Sequence, residues 1–149
     1  MSVGVMSKVF LATVLVALMC VAAVSVSKPA HAQSGSAVVS EARSWIGTPY
    51  VYGGTGRWGV DCSGFTQAVF RNLGVYIPRT TWSQWWAGSP SWYNGANAGD
   101  LVFSNWGGGW ASHVGIATGN GTIIHAPYPG TVVAERPIWW GYVNGIRSV

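Results

Sequence analysis

Charge is scarce in this chain: eight lysines and arginines and four aspartates and glutamates among 149 residues. Both lysines fall early, at Lys8 and Lys28, so the remainder carries only arginines and the acids Glu41, Asp61, Asp100 and Glu135. So thin and scattered a positive balance excludes a nucleic-acid surface, which needs clustered cations. Cysteine is scarcer still. There are two, Cys20 and Cys62, and losing the first would leave no internal disulfide to staple the fold. There is also no internal repeat, low-complexity tract or sign of a second domain. What the chain has in abundance is apolar and aromatic matter, 49% hydrophobic residues with ten tryptophans.

The first 32 residues have the layout of an export signal. Lys8 gives a thin positive start, residues 9–27 are uncharged and largely apolar, and Ala30-His31-Ala32 is an A-x-A cleavage site. The apolar run exceeds the roughly 7–15 residues of a usual signal core and approaches the roughly 18 of a membrane span. A site placed where cleavage needs it favours a cleaved signal over a retained anchor. Met19 ahead of Cys20 is not the small residue expected before a lipidated cysteine. The expectation is a signal peptide over 1–32 and one exported domain over 33–149, secreted or wall-associated, without stable membrane association after cleavage. That domain keeps one cysteine, Cys62, and two histidines, His113 and His125. Its length is enough for a real core.

Along the domain, Ser36 is a plausible cap for a first helix whose stripe is Val38, Ala42, Trp45 and Ile46, stopped by Gly47. Residues 48–59 are rich in glycine and proline and read as a loop. Residues 61–74 read as a second helix, capped by Asp61 or Ser63, with Phe65, Ala68, Val69 and Leu73 buried and Gly74 as its stop. A shorter third helix fits 78–86. After Pro90 the segments 101–104, 112–118, 122–126 and 131–135 are short, β-rich and bounded by glycine, proline or asparagine, which predicts an antiparallel meander. Helices first and strands second predict an α+β fold, N-terminal helices packed on one face of an antiparallel sheet.

Cys62 stands at the start of the second helix, where unpaired N–H groups and the helix dipole favour the reactive thiolate and offer donors to an oxyanion. Asp61 beside it works the other way, so a nearby cationic histidine would be needed. In the strand that follows Ser112, alternation sets His113, Gly115 and Ala117 on one face. A three-residue hairpin at Gly119-Asn120-Gly121 would pair Thr118 with Thr122 and Gly115 with His125. His125 then shares the face of His113 on a diagonal roughly 7–8 Å long between backbones, within reach of two imidazoles. Gly115 leaves room between them. The expected roles are Cys62 as nucleophile, His113 as base and His125 as the group that fixes the tautomer. A zinc site from the same three residues matches no usual spacing, and no metal or cofactor is expected.

Asp61-Cys62-Ser63-Gly64-Phe65, Gly99-Asp100-Leu101-Val102-Phe103, His113-Val114-Gly115-Ile116 and Ile124-His125-Ala126-Pro127 together resemble the NlpC/P60 family of cell-wall cysteine peptidases. Gly47-Thr48-Pro49-Tyr50-Val51-Tyr52-Gly53-Gly54 is similar to the family's opening motif, and Pro78-Arg79-Thr80-Thr81 to the stretch after its catalytic helix. Each piece is short, but their order is specific. The resemblance implies a papain-like fold and hydrolysis of peptidoglycan stem peptides, usually between D-γ-glutamate and meso-diaminopimelate. It implies the same Cys62, His113 and His125 roles, a place for Tyr50 near the oxyanion, and substrate contacts from Asp61 and Ser63. Arg79 is a candidate for a substrate carboxylate or a structural hydrogen bond. Tyr52 departs from a common tryptophan, and no wall-binding domain is expected ahead of the catalytic one.

Competing readings are an amidase, an antibacterial effector that attacks a rival's wall, and a non-catalytic wall-binding module. The last is disfavoured because a degenerate binder would have lost one of Cys62, His113 and His125. Trp82, Trp85, Trp86, Trp106 and Trp110 are candidates for a stacking surface. Asp100 reads as a turn residue, Glu41 and Arg43 as a solvated helix face, and Glu135 and Arg136 as a strand edge. The expected partner is the stem peptide, and the expected state a monomer.

Overall fold

The computed structural model describes residues 33–91 and 95–149. The expected signal peptide lies outside them. The elements run α1 (Gly35–Arg43), β1 (Thr55–Gly56), β2 (Gly59–Val60), α2 (Cys62–Asn72), α3 (Thr81–Ala87), β3 (Ser89–Pro90), β4 (Leu101–Ser104), β5 (His113–Ala117), β6 (Thr122–His125), β7 (Ala134–Pro137) and β8 (Val143–Ser148). The fold is α+β, as the order of patterns predicts. Three helices pack on one face of a six-stranded antiparallel sheet of order β3-β8-β4-β5-β6-β7, and β1-β2 is a small separate hairpin.

Each helix starts where a side-chain oxygen takes an orphan N–H. Asp61 caps α2, accepting from Gly64 N at 2.7 Å, and Thr80 caps α3, accepting from Ser83 N at 3.2 Å. The first cap is Ser34 rather than Ser36. Ser34 is extended and accepts from Ala37 N at 3.3 Å, whereas Ser36 already lies inside the first turn. α2 ends at a left-handed Gly74, with φ +79°. Phe65, Ala68 and Val69 are buried as the stripe predicts, and Leu73 packs half-buried against them.

Three parts of the sheet depart from the expected meander. β8 carries a glycine and an arginine and shows no alternation, yet it is paired on both sides, with β3 and β4. Arg147 is accommodated in it by stacking 3.7 Å over the Trp85 ring and donating to Trp85 O at 3.0 Å. The expected loop 48–59 contains β1 and the first residue of β2, and Pro49 forms an isolated antiparallel bridge to Val132. Finally, β7 begins at Ala134, not Thr131, because residues 131–133 bond elsewhere. Tyr50 N donates to Thr131 O, Val133 N to Thr48 O and Gly47 N to Val133 O, at 2.8–2.9 Å.

The main core lies between helices and sheet around Trp45, Phe65, Phe103, Val114 and Ile116. A smaller cluster of Val102, Ala117, Ile123, Ile138 and Ile146 covers the reverse face. Alternation along β5 divides Val114 and Ile116 from Ala117 in this way. The expected solvated face at Glu41 and Arg43 is instead engaged. Glu41 accepts from Trp45 Nε1 and Asn72 Nδ2, and Arg43 pairs with Glu135 at 3.0 Å. Among the described residues no helix is long and apolar enough to cross a membrane.

Candidate active site

Cys62 is the first residue of α2 and is half-buried. The backbone N–H groups of Val114, Ser63 and Cys62 itself point to its sulfur. Val114 follows His113 directly, so α2 delivers the sulfur to the start of β5. Gly64 lets the 48–59 loop close onto the start of α2: a Cβ there would lie 2.0 Å from Gly54 O. No hydrogen bond joins the sulfur to the His113 ring among the described residues. Such contacts commonly tighten only when substrate binds.

The hairpin between β5 and β6 has the expected register. Ile116 pairs with Ile124, Ala117 with Ile123, and Thr118 N donates to Thr122 O at 3.0 Å. His113 and His125 therefore meet across the strands, with His113 Nε2 and His125 Nδ1 sharing a hydrogen bond of 2.9 Å. The space between them depends on Gly115, where a Cβ would lie 2.6 Å from Ile123 and 2.9 Å from His125 Cβ. Both rings are buried, and Trp106 stacks on His113 with centroids 4.0 Å apart.

Beside the sulfur is a second polar group. Asp61 Oδ2 accepts from Arg79 Nη2 at 2.6 Å and from Gly53 N at 2.8 Å, while Oδ1 takes the helix cap and Ser63 Oγ. Arg79 Nη1 donates to Ser63 Oγ at 2.8 Å. The candidate substrate residues Asp61, Ser63 and Arg79 thus form one network in which Asp61 is fully occupied. Tyr50 is half-buried close to Cys62 and this network, fixed by its backbone bridge to Val60.

The profile of the NlpC/P60 family matches residues 47–144. The chain belongs to that family. A probable endopeptidase of Corynebacterium glutamicum is 42% identical over 107 residues, 72% of this chain and 50% of that protein. The gamma-DL-glutamyl hydrolase of Bacillus subtilis is 40% identical over 116 residues, 74% of this chain and 28% of the other. The crystal structure of the NlpC/p60 domain of peptidoglycan hydrolase SagA superposes with a TM-score of 0.70 at 42% identity, covering 78% of this chain and all of that one. The chain therefore spans half or less of these curated relatives' length, but the whole of a solved NlpC/P60 domain.

Two residues of this NlpC/P60 site have contacts that the sequence does not foretell: Trp106, one of the stacking candidates, and Gln84, to which the sequence assigns no role. Trp106 lies in a glycine-rich loop, and only the fold shows it to be the ring stacked on His113. Gln84 is fully buried in α3; its Nε2 donates to Ser63 O and Pro78 O, and its Oε1 accepts from Thr66 Oγ1. It ties α3 and the Arg79 segment to α2. Of the other tryptophans considered for stacking, Trp85 is core, while Trp82, Trp86 and Trp110 are exposed.

The electrostatics give a neutral resting pair. Burial pushes the Cys62 thiol up and Asp61 adds to this, and the N–H groups at the sulfur do not fully offset them. Burial, with His125 adjacent, pushes His113 down to about 3; burial and the charge of Arg136 push His125 down to about 4. The cationic histidine expected to stabilise a thiolate is therefore absent at neutral pH. For Asp61, burial raises the carboxyl, but Arg79 and the N–H groups of Gly64 and Gly53 hold it below its ordinary range.

The histidines have a consequence for stability. Unfolded, they take up protons below about 6.5, whereas the native rings stay neutral to about 3 and 4. Protons thus favour the unfolded chain, and stability falls as pH drops from about 6.5 toward 4, by up to about 1.4 kcal/mol per unit for each ring. Urea unfolding at a series of pH values should show this slope. It should be shallower in His125→Asn, and an unchanged slope would contradict the assignment.

Proposed function

We propose that the domain is an exported cysteine peptidase that cuts an amide bond in peptidoglycan stem peptides, between D-γ-glutamate and meso-diaminopimelate. The observation that carries this reading is one half-buried cysteine at a helix start, delivered to a strand whose first residue is half of a hydrogen-bonded histidine pair. The names of the relatives, an endopeptidase, a gamma-DL-glutamyl hydrolase and a peptidoglycan hydrolase, support the substrate class.

In this mechanism Cys62 Sγ attacks the scissile carbonyl while His113 Nδ1 takes the thiol proton. His113 Nε2 keeps its hydrogen and donates to His125 Nδ1, which fixes the tautomer and steadies the imidazolium that forms. Because thiol and imidazole both start neutral, proton transfer accompanies attack rather than preceding it. The oxyanion draws on N–H groups at the start of α2 and on the Tyr50 hydroxyl. Burial and the nearby Cys62 and Asp61 hold that phenol above its ordinary range, so it remains a donor. The C–N bond breaks as His113 returns the proton to the amine, and water, deprotonated by the same ring, releases the thioester.

Arg79 retains N–H groups beyond those given to Asp61 and Ser63, and these suit the free carboxylate of a γ-linked glutamate. Asp61 acts by aiming Arg79. Incubating the protein with a D-γ-glutamyl-diaminopimelyl peptide and weighing the products tests the assignment. Two fragments split at the γ-amide are expected. With purified peptidoglycan as substrate, release of the whole stem peptide from its sugar would instead identify an amidase.

A further inference from the structure

A cavity of about 360 Å³ lies behind the histidine pair, and Cys62 does not line it. Its size falls in the range of small-molecule sites, roughly 300–1,000 Å³. His113 and His125 contribute to its lining, Trp106, Ile138 and Trp139 give it apolar walls, and Arg136 stands among them. We propose that this cavity binds a small carboxylate with an apolar or aromatic body, which accepts from His125 and pairs with Arg136.

Three observations converge on that ligand. First, His125 Nε2 is buried and is the one such side-chain nitrogen or oxygen among the described residues without a hydrogen-bond partner. In the mechanism above, on which this step rests, His125 Nδ1 accepts from His113, so Nε2 carries the hydrogen and is an orphan donor. A buried donor left unpaired costs about 1–3 kcal/mol, which an acceptor would recover. Second, Arg136 is exposed and has no carboxylate partner among the described residues; its guanidinium donates only to the adjacent Glu135 carbonyl, at 3.1 Å. It lies near enough to disfavour a charge on His125. Two donors of this kind and no facing acid call for an anion with more than one acceptor atom. Third, the walls are aromatic and aliphatic, which fits a flat or apolar body and not a heavily hydrated ion such as phosphate. A carboxylate there would also counter the Arg136 charge that His125 now feels.

The test is direct binding to the intact protein, read without turnover. Phenylacetate and its uncharged counterpart 2-phenylethanol are titrated while tryptophan fluorescence and the imidazole 15N resonances are followed. Phenylacetate is expected to saturate, to shift the His125 Nε2 resonance, and to bind roughly tenfold or more tightly than the alcohol. Arg136→Gln, a change at an exposed position, should remove that preference. No saturation in the millimolar range, equal binding of acid and alcohol, or unchanged selectivity in Arg136→Gln would each overturn the proposal. Its failure would leave hydrolysis by Cys62 untouched, and a failure of hydrolysis would leave this binding measurable. If the peptide substrate's own carboxylate is the natural occupant, phenylacetate will compete with it; if a free acid is, inhibition will be non-competitive.

Discussion

Cys62→Ala should lower hydrolysis of the γ-glutamyl peptide by roughly 10³-fold or more while leaving thermal unfolding nearly unchanged. The size of the loss follows from covalent catalysis. Without the sulfur no thioester forms, and the remaining donors assist only a direct attack by water. The small cost to the fold follows from where the residue stands. Asp61 holds the cap of α2 without help from the thiol, and Phe65, Ala68 and Val69 supply the helix's buried face. Rates on the peptide, together with calorimetry, separate the two effects. Activity near that of the parent would end the mechanism, and a collapsed melting temperature would make Cys62 a core residue.

A second expectation attaches to the same sulfur. A thiol held neutral by burial and by Asp61 reacts slowly with iodoacetamide in the absence of substrate, despite being reachable. The sequence alone predicts the opposite, rapid alkylation of Cys62 in the native protein at neutral pH, with protection until unfolding as the mark of a buried structural cysteine. The structure supplies the missing piece: both imidazoles are too deeply placed to carry charge at neutral pH.

That contrast shows where the sequence is informative. The reach from His113 to His125 depends on a strand period of two and a three-residue hairpin loop, both local, and the observed register agrees with them. The helix carrying Cys62 is equally local, a cap, a stripe and a glycine stop. β8 is not, since Val143–Ser148 has no alternation, and its place between β3 and β4 comes from partners distant in sequence. The displaced β7 has the same origin, residues 131–133 being taken by the segment around Thr48 and Tyr50. Within the site, Arg79 and Asp61 are eighteen residues apart and Trp106 sits in a loop of glycines, so neither contact had a spacing to betray it. Burial, which decides the charge state of the pair, is likewise a property of the assembled fold.

His113→Asn is the sharper test of how the proton moves. At pH 7 the variant should lose roughly 10²–10⁴-fold in kcat/KM, the range for removal of a general base. Its residual rate should then climb with pH, because the thiol must now ionise unaided. Burial and Asp61 hold that ionisation above the ordinary thiol range, so the climb should continue past the roughly 8.5 of a free cysteine. The parent behaves differently. Its base is neutral down to about 3, so its acid limb should lie well below the 6.5 of a free imidazole, within whatever range the fold survives. The two profiles diverge because the parent begins from thiol and imidazole and the variant from a thiolate made by solvent. Identical profiles for parent and variant would mean that His113 does not carry the proton, and that the sulfur beside it is activated by some other group.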